Sequence, residues 1–218
     1  MIRLHEVSKS FHSGGVETVV ADRLSLAFPA GASVALLGRN GAGKSTLLRM
    51  IAGTLKPASG RIEIAGTVSW PVGFAGSFHG DLTGVQNVRF VARLYGVDSD
   101  VLVDAVRGFS GLGEKLALPV RGYSQGMRAR LGFALSMGIA FDTYLIDEVT
   151  AVGDAEFRTR CEEALADRLR HAGAVVVSHS AGFLRRVCQS GVVLEEGRAA
   201  WFDDLDEAFS VHRRMLGQ

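Results

Sequence analysis

A chain of 218 residues with 47% hydrophobic and 22% charged side chains is long enough for a sizeable core and too apolar for intrinsic disorder. A formal net charge of +1 excludes a global field that would gather nucleic acid or an acidic surface. Two cysteines, Cys161 and Cys188, lack CxxC or metal spacing, which excludes a disulfide scaffold and reads as buried or free thiols of a reducing, cytoplasmic compartment.

The amino terminus, MIRLHEVSKSFH, alternates apolar and polar residues, carries charge, and so reads as a strand and not as a signal peptide. Residues 2–7 and 24–28 have the period of half-buried antiparallel strands, with Gly14 and Gly15 marking a turn between them. Phe11 follows the first of these; it serves either as an edge-packing aromatic or as a flat ring for a nucleotide base.

Residues 32–51, ASVALLGRNGAGKSTLLRMI, run from an apolar strand through a glycine-rich turn into a helix. Gly38, Gly43, Lys44 and Ser45 fit GxxxxGK[ST]. Glycines let backbone N–H groups approach phosphate oxygens, the helix beginning near Lys44 adds its positive dipole end, Lys44 adds a charge, and Ser45 offers a hydroxyl to Mg²⁺. Pro57 and Gly60 are expected to end that helix, and residues 61–64 alternate into a strand.

Residues 72–84 are irregular and glycine-rich, reading as a mobile segment that is either a passive connector or, on its apolar Phe74 and Phe78, a docking surface. Residues 86–95 and 99–109 have apolar positions at helical spacing, a small helical insert. It leads to YSQGMRARLGFALSMGIA, a helix with Ser124 as N-cap, where Gly126 leaves backbone amides open at a second positive helix end. The longest apolar stretch, residues 131–140, is too short to span a membrane, so work at a membrane requires another protein as anchor.

Residues 143–146 form an apolar run ending in Asp147 and Glu148, two carboxylates at the end of a buried parallel strand, where ligands of open α/β sheets sit. Asp147 suits Mg²⁺ and Glu148 is placed to orient or deprotonate a water. A mixed-charge helix over about 154–171 precedes the β-branched run 174–177, a central strand ending at Ser178-His179; a histidine there is able to bond a γ-phosphate oxygen. Residues 192–195 and 198–201 read as a hairpin turned at Gly197, and 203–216 as a terminal helix.

Together GRNGAGKST, YSQGM, YLIDE, VGD and SH resemble the nucleotide-binding subunit of an ABC transporter over essentially the whole chain. The run GYSQGMRARLGFALSMGIAFDTYLIDEVTAVGDAEF is similar to the ATP-binding subunits of bacterial capsular polysaccharide exporters. That resemblance implies an α/β fold, a P-loop NTPase with a RecA-like core of ABC type, an antiparallel β edge and a small helical subdomain. A single domain is expected, its core at about 1–80 and 141–218 and its helical subdomain at about 81–140.

The resemblance also implies that Phe11 stacks on adenine and that Gly38, Asn40, Gly41, Gly43, Lys44, Ser45 and Thr46 wrap the phosphates. Ser45 and Asp147 would serve Mg²⁺, Glu148 would be the general base, and His179 the γ-phosphate sensor. Ser124, Gln125 and Gly126 would reach the ATP of a second copy in a head-to-tail homodimer, with Asp154 at the dimer interface. The expected partner is an integral membrane permease, with no nucleic acid and no direct lipid insertion, at the cytoplasmic face of a bacterial inner membrane. Two departures stand out. Of the common LSGGQ signature only Ser124 and Gly126 survive in YSQGM, and no glutamine precedes Gln86 after the strand near Trp70, His79 being the nearest polar substitute. Other glycan exporters (O-antigen, teichoic acid), a soluble ABC-type ATPase and a P-loop kinase are the competing readings; the last leaves YSQGM and Ser178-His179 unexplained.

Overall fold

The computed structural model describes residues 1–73, 78–148 and 154–217, and they sort into two compact units. The first comprises Met1–Pro71, Phe141–Glu148 and Leu169–Gln218, and the second Val72–Ala140 and Val149–Arg168.

The first unit holds two sheets. β1 (Ile2–Ser13) and β2 (Val16–Phe28) form a long antiparallel hairpin, with β4 (Ser59–Ile64) on the other side of β1. Both hairpin strands run well beyond the alternating stretches that signalled them, so Phe11 lies inside β1, opposite Thr18. The register slips between Leu4 and Val7, where Glu6 takes φ 46°, and again between Val7 and Lys9, where Arg23 of β2 takes φ 48°. Serine hydroxyls repair the ladder there, Ser25 Oγ accepting from the Glu6 N–H at 3.1 Å and Ser8 Oγ from the Arg23 N–H at 3.0 Å.

The second sheet orders as β5-β6-β7-β3-β8-β9: β5 (Val68–Pro71), β6 (Thr143–Asp147), β7 (Gly173–Val177), β3 (Ser33–Leu37), β8 (Ser190–Glu195) and β9 (Arg198–Phe202). All pairings are parallel except the closing β8-β9 hairpin. Central parallel strands are covered on both faces and read as unbroken apolar runs. Every residue of β3 and β7 is accordingly buried. α1 (Lys44–Ile51) buries Leu47, Leu48, Met50 and Ile51 in a core that includes Leu4, Leu24 and Phe28 of the hairpin sheet and Leu36, Leu145 and Val175 of the parallel one. α6 (Ala181–Val187) and α7 (Leu205–Met215) complete this unit.

The end of α1 differs from expectation. It stops at Ile51 with Ala52 as C-cap and Gly53 at φ 72°, well before Pro57. Gly60 plays a different part. At φ 79° in β4 it faces the β1 bulge, where a Cβ would lie 2.4 Å from the carbonyls of His5 and Glu6.

The second unit is helical: α2 (Gly84–Tyr95), α3 (Ser99–Ser110), α4 (Gln125–Gly138) and α5 (Ala155–Arg168). Three phenylalanines bind α3, α4 and α5 together, Phe109 stacking on Phe133 at 5.5 Å and meeting Phe157 edge-on at 5.8 Å. Arg130 of α4 lies over the Phe157 ring at 4.4 Å. This cluster ties α5 to α3 and α4, whereas the sequence reading assigned that helix to the core.

Candidate functional site

The phosphate loop forms as its residue types require. Gly43 caps α1 in a left-handed conformation, φ 101°, and a Cβ there would fall 2.1 Å from Val20 Cγ1. At Gly38 a Cβ would meet the Leu194 carbonyl oxygen at 2.4 Å. Hence both glycines are demanded by the chain itself. Lys44 Nζ donates to the carbonyls of Gly38 at 2.7 Å and Arg39 at 2.9 Å. Burial lowers the Lys44 pKa, and the charges of Glu148 and Asp147 work against that shift.

Gly43 and Lys44 line an open cleft of about 520 Å³ with Phe11, Thr18, Val20, Asn40, Gly41, Ser45, Thr46 and Glu148. Phe11 is exposed, with Lys9 Nζ 5.4 Å from its ring centroid. The Phe11 ring thus lines the cleft while remaining open to solvent.

The carboxylates arrive from the neighbouring strands. Asp147 closes β6 beside Val177 of β7, and the Glu148 N–H donates to the Val177 carbonyl at 3.0 Å. Glu148 itself sits at φ 51°, a conformation that costs a non-glycine residue about 1–3 kcal/mol and is held only where its surroundings over-determine it. His179 Nε2 lies 3.0 Å from Glu148 Oε1. The Ser45 hydroxyl and Asp147 carboxylate are hard oxygen donors of the kind Mg²⁺ takes, and Asp147 is near enough to act on Lys44. No group of three or more His, Cys, Asp or Glu side chains able to hold a metal occurs among the described residues.

The remaining predicted site residues belong to the helical unit. Ser124 caps α4, its Oγ accepting from the Met127 N–H at 3.3 Å, and Gln125 is exposed beside it. A Cβ on Gly126 would meet nothing closer than Ser124 Oγ at 4.0 Å. Asp154 spends both oxygens within the unit: Oδ1 accepts from the Phe157 N–H at 2.9 Å and Oδ2 pairs with Arg130 at 2.6 Å, and these contacts hold its pKa low. Val152 and Gly153 of VGD and Phe74 lie outside the described residues, and Phe78 is half-buried.

Gln86 forms a capping box with Thr83, accepting its N–H at 2.8 Å, so this glutamine shapes a helix start. Asn87, buried, ties the preceding turn by accepting from the His79 N–H and donating to the carbonyls of His79, Leu82 and Thr83. That turn is braced to the approach to α4: Arg121 N–H donates to the Gly80 carbonyl at 2.8 Å and its guanidinium pairs with Asp81 at 2.8 Å. Sequence reading missed an apolar face on α2, where Phe90 is 63% and Leu94 69% exposed; their i, i+4 spacing was the available signal. No helix among the described residues is long and apolar enough to cross a membrane.

Among solved structures the fold matches the ATP-binding cassette MJ0796, in a dimeric post-hydrolysis state bound to ADP and Pi, with TM-score 0.79, 20% identity, and 94% of this chain and 99% of that one covered. At that identity the likeness concerns the fold alone. Among curated proteins the chain is 43% identical to the ATP-binding protein BexA of Haemophilus influenzae, covering 97% of this chain and 98% of that one. It is 43% identical to the capsule polysaccharide export ATP-binding protein CtrD of Neisseria meningitidis serogroup B, covering 99% and 100%. It is 44% identical to the polysialic acid transport ATP-binding protein KpsT of Escherichia coli, again covering 99% and 100%. The family model described as ABC transporter matches residues 21–151, and with the phosphate loop, the strand-end carboxylates and the fold agreeing, the chain belongs to the ABC transporter family.

Proposed function

We propose that this chain binds and hydrolyses ATP as the nucleotide-binding subunit of an ABC exporter that moves a capsule-type polysaccharide across the inner membrane. The observation that carries the hydrolytic part is that Glu148 lines the same cleft as Lys44 and Ser45, at a strained backbone position and 3.0 Å from His179. Phe11 stacks on the base; Gly38 to Thr46 hold the phosphates. Ser45 and Asp147 hold Mg²⁺, which when bound neutralises phosphate charge. Glu148 accepts the proton of the attacking water, and His179 orients Glu148 and bonds the terminal phosphate. The polysaccharide assignment rests on the functions of the relatives.

Two copies are proposed to close head to tail, each offering Ser124, Gln125 and Gly126 to the ATP held by its partner. The exposed, uncrowded amides at this helix start support that reading. A permease in the membrane would be met by the helical unit, whose exposed Phe90 and Leu94 supply an apolar surface. Loss of the γ-phosphate then loosens the dimer and moves the permease.

Replacing Glu148 by Gln should slow ATP turnover by about 10²–10⁴-fold while ATP binding persists. Unchanged turnover in that variant overturns the assignment of the base. For the cargo, a deletion strain should accumulate the capsule-type glycan inside the cell; loss of surface proteins in place of glycan would refute the exporter reading.

A further inference from the structure

The C-terminal helix α7 is pinned along its first half. Gly191 of β8 admits it so closely that a Cβ there would lie 2.6 Å from Ala208 Cβ. The Leu205 N–H donates to the Gln189 carbonyl at 3.1 Å. Arg185 of α6 holds Asp206 through Nε at 3.1 Å and Nη2 at 2.8 Å, and lies 5.0 Å from the Phe209 ring centroid. The last turns of α7 are thereby delivered to a fixed place, a cleft of about 320 Å³ lined by His212, Leu37, Ser178 and His179 among others.

Leu37 is the last residue of β3, and Gly38, the first glycine of the phosphate loop, follows it. His212 Nε2 is shielded from solvent and has no hydrogen-bond partner. Burial lowers the His212 pKa most, the Gly38 backbone works against that shift, and the Lys44 charge adds to it. The imidazole thus lies in a cleft beside Leu37, whose neighbour Gly38 offers its carbonyl to the Lys44 ammonium. Burial and the Lys44 charge favour a neutral imidazole with a single N–H to give.

Lys44 has three N–H donors and spends two on the Gly38 and Arg39 carbonyls. A polyphosphate that draws the ammonium toward itself strips the Gly38 carbonyl of its 2.7 Å partner. We propose that His212 is a positioning residue for phosphate binding: its ring N–H takes over the Gly38 carbonyl as Lys44 turns to the phosphates, so the loop keeps its first turn while the lysine is redirected. The inference rests on the ATP reading above and adds to it a part for the terminal helix.

The test compares His212→Gln, which keeps a donor, with His212→Leu, which keeps bulk without one, in the full chain. Leu should raise the KM for ATP about tenfold, the worth of one hydrogen bond, with kcat within about twofold. It should also melt no lower than the parent, because it removes a buried unpaired nitrogen. Gln should restore the KM to within about threefold. Arg214→Ala, on an exposed position of the same helix, should leave the KM unchanged. A parental KM in the Leu variant, or Gln as impaired as Leu, overturns the hand-over. Should Leu fail to fold by circular dichroism, His212→Met serves as the non-donor with the same criterion. If the parent chain itself does not bind ATP, the functional reading fails instead, and the two failures are distinct.

Discussion

Two helix N-termini in this chain carry glycines, and those glycines are there for different reasons. At the start of α1, Gly38 and Gly43 sit where the chain's own atoms forbid a side chain, with contacts of 2.4 Å and 2.1 Å waiting for a Cβ. At the start of α4, Gly126 is in open space. The first site is written into the packing of its own unit and would need glycine even without a ligand. Nothing inside the second unit asks for glycine at that position, which agrees with the proposal that this helix start is offered to a partner's nucleotide.

Gly43→Ala is the severest way to probe this contrast. Strain at φ 101° costs about 1–3 kcal/mol and the overlap with Val20 about 1–3 kcal/mol more, so urea unfolding should show a clear loss of stability together with lost ATP binding. Gly126→Ala should do the opposite on stability, staying within about 1 kcal/mol of the parent on the stabilising side. Its ATPase rate should nevertheless fall about tenfold or more, because a methyl group stands where phosphate would approach. Parental ATPase activity in Gly126→Ala would break the contrast.

A smaller effect reports on the two units separately, since each holds one buried thiol. Burial pushes both Cys161 and Cys188 from 9.0 up to about 12. The folded thiols stay neutral while the unfolded ones ionise, so the associated stability is whole below pH 9 and is lost as pH rises toward 12. Melting temperature should decline over that window, and Cys188→Ala or Cys161→Ala should each flatten the decline. A decline unchanged in both variants would assign it to the tyrosines Tyr95 and Tyr123, whose pKa values burial also raises.

Much of the site was legible because its signals are local. The order strand, glycine turn, Lys44 is contiguous, and so are the runs ending at Asp147-Glu148 and at Ser178-His179. The seven-residue α6 left no period long enough to read, and β5, four residues long, was noticed only as a strand near Trp70. The longer reach of β1 and β2 was hidden because their distal halves are exposed and lose the alternation that burial imposes.

Residue order alone settled the chemistry, since glycines, a lysine, a serine and two carboxylates at fixed spacing admit few uses besides holding a phosphorylated ligand. Tertiary structure decided everything that depends on partners distant in sequence. It placed Phe11 at the cleft, turned Gly60 from a helix stop into the glycine beneath a bulge, moved α5 to the helical unit through Phe157, and brought His212 into a cleft with Leu37. The physical reason is common to all four: hydrogen-bonding periods and turn chemistry act over a few residues, whereas burial selects contacts between residues that no local pattern relates.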